Sequence, residues 1–580
     1  MTPGMHEPLA RSETSVHPIR FGWRTGMFRG RLWGWSWVLW ILFYLLPLLT
    51  GWLLKLVFDA LDTSEPINGL LLMIGVAEVL RWVVFGAAVY FVVRWWVAAL
   101  TLMRTNMLAA QTASGGFRSA TLPSSPAEAI SRFHDDPRDA ILWVDSWLDG
   151  AGTLVYAVIA FAVMLTVHPG AALVAVVPLV VVTFITRKLT PRLYAARAAD
   201  RAASSQVTSF LGETFSAVLA FRLAGKESSA VARLEQHTAV RRQTAVRDSV
   251  LQQAIDGISS STADVTIGLT LLVLVPAVRS GDFSVGDLAL FVTYAVQLGQ
   301  LPRYAARLIT SHEQAIVAYG RMGELVAADR IEDLVDNRPI TIEPRDRMLQ
   351  RDPDPRRVPL RRLQVSGLTV RHPSTGGGVT DIDLDIDRGA FVVVTGPIGS
   401  GKSTLLRALV GLVPLDRGRI SWNGTTIDDP AAWFVPPQAA YLPQVPRLFS
   451  ESLAANIALG RNIDDLGHIL KLTTLEHDLA EMPDGPDTMV GARGLRLSGG
   501  QAQRVATARS LLTKPELLLV DDLSSALDVG TERELWDRLR SDAVSTVIAV
   551  SHRQLAFDRA DLVITMDGGR VASVSSTGAP

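Results

Sequence analysis

The feature that most constrains this chain is a succession of long apolar runs confined to its first half. Crossing roughly 30 Å of hydrocarbon as a helix takes about 20 predominantly apolar residues. Six stretches qualify, at about 32–58, 69–98, 142–167, 171–190, 258–279 and 284–309. His168-Pro169-Gly170 parts the third from the fourth, and Ser280-Gly281-Asp282 parts the fifth from the sixth; both are tight helix-breaking turns. Beyond about residue 325, charged and turn-forming residues take over. In a chain of 580 residues with 48% apolar side chains, this unevenness predicts a membrane half followed by a soluble half rather than one oversized core. The first run, from about Leu32 to Leu54, is too long for a signal-peptide core, and no small-residue cleavage site follows it. It reads as a retained anchor.

Charge placement sets an expected orientation. Arg11, Arg20, Arg24, Arg29 and Arg31 precede the first run, which predicts a cytoplasmic N-terminus. Asp59, Asp62 and Glu65 make the first outer loop acidic. The segments 104–138 and 187–247 are again rich in arginine, with Arg192, Arg197, Arg201, Arg241 and Arg242 in the second. An even number of crossings returns the chain to the cytoplasm before the soluble half. Lys and Arg total 56 against 57 Asp and Glu, so no basic excess points to nucleic acid. The chain has no cysteine, which excludes disulfides, thiolate chemistry and cysteine metal sites.

Charged residues fall inside some of the expected spans. Glu78 and Arg81, one helical turn apart, are placed to neutralise each other, and Asp264, without a local partner, is the better candidate for a substrate cavity. Trp33, Trp35, Trp37, Trp40, Trp95 and Trp96 read as interfacial anchors. The segments 104–138 and 187–257 are too long for hairpin loops and predict helices continuing below the bilayer. Their turns, near 124–134 and 213–224, could be short amphipathic helices that dock on a soluble domain.

In the second half, Phe391-Val392-Val393-Val394 enters Gly396-Pro397-Ile398-Gly399-Ser400-Gly401-Lys402-Ser403-Thr404, and a helical pattern follows. Strand, glycine loop and helix in that order make a phosphate cradle: backbone N–H groups close around phosphate oxygens and the helix N-terminus adds its positive end. Lys402 would reach the β- and γ-phosphates and Ser403 would hold Mg²⁺. Leu517-Leu518-Leu519-Val520-Asp521 is a second buried strand ending in a carboxylate suited to organising Mg²⁺. Asp522 follows at the position for polarising an attacking water.

Between these elements stands Leu497-Ser498-Gly499-Gly500-Gln501, opening a helix. With it the chain resembles, over nearly its whole length, the ATP-binding cassette (ABC) transporters, and among them the exporter-type half-transporters with the membrane domain first. Gln444 in Tyr441-Leu442-Pro443-Gln444 resembles the Q-loop glutamine, Asp528 in Ser525-Ala526-Leu527-Asp528 the D-loop aspartate, and His552 the switch histidine. The resemblance implies ATP and Mg²⁺ as cofactors, with Ser403, Gln444 and Asp521 around the metal. It implies catalysis by Asp522, His552 and Gln444. It also implies ATP sandwiched between one phosphate loop and the partner's Ser498, Gly499, Gly500 and Gln501. The turns near 124–134 and 213–224 then resemble coupling helices.

The expected architecture is an all-α six-helix transmembrane domain followed by an α/β P-loop ATPase. Its parts are a cytoplasmic N-terminal segment (1–31), the transmembrane domain (32–325), a linker (326–360) and the nucleotide-binding domain (361–580). Three departures from the family pattern stand out. Asp522 sits where glutamate is usual, so its carboxylate falls back by about 1.5 Å, and displacements of about 1 Å can cost about 10²-fold in rate. His372 stands where an aromatic, often Tyr, stacks on adenine. Gly491-Ala492-Arg493-Gly494 carries Ala where exporters commonly have Glu. A weak base beside an intact signature resembles one chain of an asymmetric heterodimer; a homodimer with a slow base is the alternative. The expected activity is ATP-driven export of a small amphipathic molecule across the cytoplasmic membrane, with import of a siderophore-like or other hydrophilic solute as the alternative. A non-transporting regulator or channel on the same frame is a further alternative.

Overall fold

The computed structural model describes residues 17–112, 126–280, 283–326, 328–338, 340, 356–371, 377–463, 465–491, 497–523, 527–541 and 546–576. The chain divides into two compact units, the first ending at Asp346 and the second made chiefly of Arg347–Pro580. The described part of the first unit is helical: α1 (Pro18–Met27), α2 (Gly30–Asp62), α3 (Asn68–Thr112), α4 (Pro126–Val167), α5 (Pro169–Ser216), α6 (Val218–Leu223), α7 (Glu227–Ser280), α8 (Val285–Leu298) and α9 (Leu301–Val326), then a 3-10 segment Ala328–Val335.

Among the described residues, α2 to α5 include four helices long and apolar enough to cross a membrane. The most apolar window of α3 has a mean hydropathy of 2.0, yet only 11% of it is buried, and Leu72, Val76, Val79 and Val83 all stand more than half exposed. An apolar face of this extent needs lipid, not water, around it. The fifth expected span falls within the 54 residues of α7, where Asp264–Val275 is the apolar stretch. The sixth, expected as one helix over 284–309, is instead split between α8 and α9. Pro302 has no N–H to continue the ladder, so the chain restarts with proline in the first turn of α9.

Two further expectations change. Asp59 and Asp62 belong to the last turn of α2 rather than to a loop. Asp59 pairs with Lys55 at 3.2 Å and accepts from Ser284 Oγ at 2.6 Å, tying α2 to the start of α8. The tryptophans do not act as one belt. Trp33 and Trp95 are buried, while Trp40 and Trp96 donate to carboxylates on α4; Trp35 is more than half exposed. The short α6 leaves Leu219 and Leu223 exposed beside Phe215, so the turn presents apolar side chains outward. Ser124 and Ser125 of the other turn lie outside the described residues.

The second unit is α/β. Its four-stranded antiparallel sheet has the order β2 (Gly378–Asp387), β1 (Arg362–Arg371), β4 (Arg417–Trp422), β5 (Thr425–Thr426). Its six-stranded sheet runs β10 (Arg570–Ser576), β9 (Leu562–Asp567), β3 (Phe391–Thr395), β8 (Thr546–Val550), β7 (Leu517–Asp521), β6 (Ala439–Leu442), with β9 to β6 parallel. β3, β7 and β8 are apolar almost throughout and buried, as parallel strands covered on both faces must be. This order decides the site. The register pairs Val394 with Val550, Asp521 with Val550, and Leu442 with Val520, so four strands end level. The loops leaving their C-terminal ends are therefore delivered to one edge, where open parallel sheets bind ligands.

Candidate functional site

From β3 the chain enters the glycine loop, whose conformation only glycine tolerates at the key points. Gly396 has φ +137°, and a Cβ there would lie 2.0 Å from the Met566 carbonyl oxygen. Gly401 has φ +95° and opens the helix Lys402–Leu409. Pro397, Ile398 and Gly399 form an exposed tip, with Ile398 wholly in solvent. Lys402 Nζ donates at 2.8 Å to the carbonyls of both Gly396 and Pro397, curling its charge over the loop. Burial lowers the Lys402 ammonium from its ordinary value, against the pull of Asp521 and Asp522. Ser400 is buried, and its hydroxyl has no hydrogen-bond partner among the described atoms. A phosphate oxygen would supply one. Thr404 completes the first turn of the helix.

From β7 come the two carboxylates. Ser403 Oγ donates to Asp521 Oδ1 at 2.8 Å, joining the helix start to the strand end. Asp522 sits in the left-handed region at φ +55°, which aspartate enters more readily than most side chains. From β6 comes Gln444, whose Nε2 donates to Asp522 Oδ2 at 3.1 Å. From β8 comes His552, exposed just beyond the strand. The structure thus brings the glycine loop, Asp521, Asp522 and Gln444 together, with His552 leaving the strand between them. The residues fit Mg²⁺. Among the described residues no cluster of three or more His, Cys, Asp or Glu could cage a metal, but Mg²⁺ beside a nucleotide is held by one or two protein oxygens, phosphates and water, and the Ser403–Asp521 pair supplies such a set.

Ser498 caps the helix Gly499–Leu511 in a reciprocal box with Gln501, and Gln501 donates onward to Asp478 at 2.9 Å. Gly499 and Gly500 form that helix's first turn, a natural anion site. Asp528 caps the helix Val529–Ser541, accepting from the N–H groups of Gly530 and Thr531, each at 3.0 Å; the Thr531 hydroxyl bond holds its carboxyl below the usual range. His372 and residues 492–494 lie outside the described residues.

Two arrangements escape a sequence reading. Arg553, next to His552, donates to the Leu527 carbonyl at 3.0 Å and to the fully buried Glu532 at 2.7 Å, bracing the Asp528 turn against the His552 turn. In the first unit, Asp149 on α4 accepts from Trp40 at 2.6 Å, Tyr44 at 3.0 Å and Arg307 at 3.0 Å, with Asp145 one turn away. The i, i+4 spacing of Asp145 and Asp149 at the start of a span was the available signal. Arg307 also lines a cavity of about 1210 Å³ between α4, α5, α7 and α9, together with Arg187, Arg197, Arg303, Asp256 and hydroxyl side chains. Glu78 and Arg81 pair at 3.6 Å, and Thr50 donates to Glu78 at 2.9 Å. Asp264 is exposed and does not line this cavity.

Comparison with known proteins decides the family. The ABC transporter model matches residues 379–525, and the ABC transporter transmembrane region model matches residues 41–301. The chain belongs to the ABC transporters. This ABC transporter chain is 32% identical over 324 residues to heavy metal tolerance factor 1 of Caenorhabditis elegans, covering 55% of this chain and 38% of that protein. It is 27% identical over 416 residues to the ATP-dependent lipid A-core flippase of Chromobacterium violaceum, covering 70% and 68%. The chain spans about half the length of several other curated relatives it matches. Its fold matches a bacterial Atm1-family ABC exporter with ATP bound at a TM-score of 0.74 over 93% of this chain and 95% of that one. At 21% identity that likeness speaks to fold alone. With both family models in one chain, it is a multi-pass membrane protein carrying an ABC ATPase domain.

Proposed function

We propose that this chain is one half of a dimeric, ATP-driven exporter of a small amphipathic molecule carrying negative charge. The observation that carries the reading is the convergence, at the level ends of four parallel strands, of a glycine loop, the Ser403–Asp521 pair and the Gln444–Asp522 pair. In this reading Gly396 to Thr404 cradle the phosphates, and Lys402 shifts from the loop carbonyls to the phosphate charge. Asp522 orients the attacking water and His552 steadies the transferred phosphoryl group. Mg²⁺, when bound at Ser403 and Asp521 near Gln444, neutralises phosphate charge. Ser498 to Gln501 present a helix N-terminus to ATP held by a partner chain, with Asp528 at the same dimer face. The short Asp522 favours a heterodimer, in which the partner supplies the stronger base. The membrane is the cytoplasmic one, with the ATPase inside.

The lining of the cavity supports the negative charge. Arginines near cytoplasmic helix ends are expected from topology alone, but topology does not require Arg187, Arg197, Arg303 and Arg307 to line one cavity against a single carboxylate, Asp256. Arg307 and Arg197 are already engaged by acidic or amide partners. Among the described residues Arg187 and Arg303 have no ion-pair partner. An anionic head beside hydroxyls, with an apolar body, suits that lining. The test is ATP-dependent accumulation in inside-out vesicles of carboxyfluorescein against cationic rhodamine 123. Preference for the anion, weakened in Arg303→Ala, supports the reading. A preference for the cation, or uptake indifferent to Arg303, rejects the substrate class.

A further inference from the structure

Asp521 is held by a residue that the reading above leaves unused. β6 runs parallel to β7, with Tyr441 paired to Leu519 and Leu442 to Val520, so the end of β6 lies alongside Asp521. The Tyr441 hydroxyl donates to Asp521 Oδ2 at 3.1 Å, while Ser403 donates to Oδ1 at 2.8 Å. Arg407, one helical turn beyond Ser403, donates its Nε to the Tyr441 oxygen at 3.4 Å. Asp521 itself is 1% exposed. Both of its oxygens are thus engaged from different elements, and the carboxylate cannot turn about its last torsion without breaking one of those bonds.

We propose that Tyr441 is a positioning residue that, braced by Arg407, fixes the orientation of Asp521 for the divalent cation accompanying the nucleotide. The assignment rests on the ATP-site reading. Two effects of the phenol oppose each other. Its hydrogen bond draws charge from the carboxylate, which alone would weaken metal binding. Its constraint keeps Oδ1 at the Ser403 edge, where the metal's oxygen ligands must gather. Mg²⁺ demands near-octahedral geometry, and loss of a partner that orients a ligand typically costs about 10- to 100-fold in metal affinity, so orientation wins. The half-buried tyrosine ring also packs against the core of the unit. Removing only the hydroxyl separates the two contributions.

The experiment is fluorescence titration of the full-length chain with TNP-ATP, in EDTA and then across a Mg²⁺ series, for wild type, Tyr441→Phe and Arg407→Gln. Asp521→Asn serves as the reference for a damaged site. Tyr441→Phe is expected to bind nucleotide like wild type in EDTA and to need about 3- to 30-fold more Mg²⁺ for half of the metal-dependent gain. Arg407→Gln is expected to shift in the same direction by a smaller factor, and it carries the test if Tyr441→Phe does not fold. An unchanged Mg²⁺ midpoint with intact binding in EDTA overturns the role of Tyr441 and leaves the ATP site standing. Wild type that binds no nucleotide under either condition overturns the ATP-site reading itself, and the assignment with it.

Discussion

Replacing Arg553 with methionine isolates the one fully buried carboxylate that the described residues of the ATPase unit hold by an ion pair. Glu532 is 0% exposed and accepts from Arg553 at 2.7 Å and Trp536 at 3.4 Å. Without the guanidinium, the carboxylate either stays charged in a dry site or takes up a proton. For an ordinary glutamate, protonation at pH 7 costs about 3.7 kcal/mol, which caps the penalty. Breaking a buried pair from one side costs ~3–5 kcal/mol. The Arg553 side chain is 35% exposed, so water entering beside Glu532 brings the expectation to ~2–3.7 kcal/mol. The assay is hydrogen exchange of peptides spanning 529–541 in the full-length protein, since local opening is read there without assuming that the whole chain unfolds as one. Exchange at pH 7 should accelerate by about 30- to 500-fold. The double variant Glu532→Gln/Arg553→Met should recover most of the protection. Exchange unchanged in Arg553→Met, or a double variant as damaged as the single one, refutes the reasoning.

Two further outcomes concern the glycine loop. Gly396→Ala places a methyl 2.0 Å from the Met566 carbonyl at φ +137°; the loop must shift, and TNP-ATP affinity should fall at least about 100-fold while far-UV circular dichroism stays unchanged. Ser400→Ala removes a buried hydroxyl that has no partner among the described atoms. The thermal midpoint without nucleotide should hold or rise slightly, while TNP-ATP affinity drops about 10- to 150-fold, the worth of one hydrogen bond to a charged group.

How much of this was open to a sequence reading depends on range. The glycine loop could be read from 391–404 because each part of it is local: an apolar strand, glycines at forced turns, a helix start. The caps at Ser498 and Asp528 are equally local. The first four spans announced themselves by length and hydropathy. The break at Gly299 to Pro302 did not, because proline inside an apolar run marks either a kink or a fresh start, and packing decides which. The level ends of β3, β8, β7 and β6 depend on a strand order in which β8, late in the chain, inserts between β3 and β7. No spacing reveals that. Nothing local marks Tyr441, since only the parallel register beside β7 sets its hydroxyl against Asp521. Arg553 and Glu532 lie 21 residues apart, and Arg307 reaches Asp149 across 158 positions. Such pairs follow from the fold and become visible only with it. For Asp522, the sequence shows a side chain one methylene short of glutamate; the structure adds a left-handed backbone, which suits aspartate and tempers what glutamate could restore.

That residue also frames the most direct test of the proposed mechanism. Purified chain, alone and reconstituted in lipid, should be assayed for ATP hydrolysis beside Asp522→Glu. The expected result is near-silent wild type and a gain of about 10- to 100-fold in the variant, the scale of a 1 Å correction in placement reduced by the cost of glutamate at a positive φ. Such a result marks a site complete except for its base and calls for a partner chain. Brisk turnover by wild type, with Asp522→Glu no faster, contradicts the degenerate-site reading and makes the working transporter a homodimer.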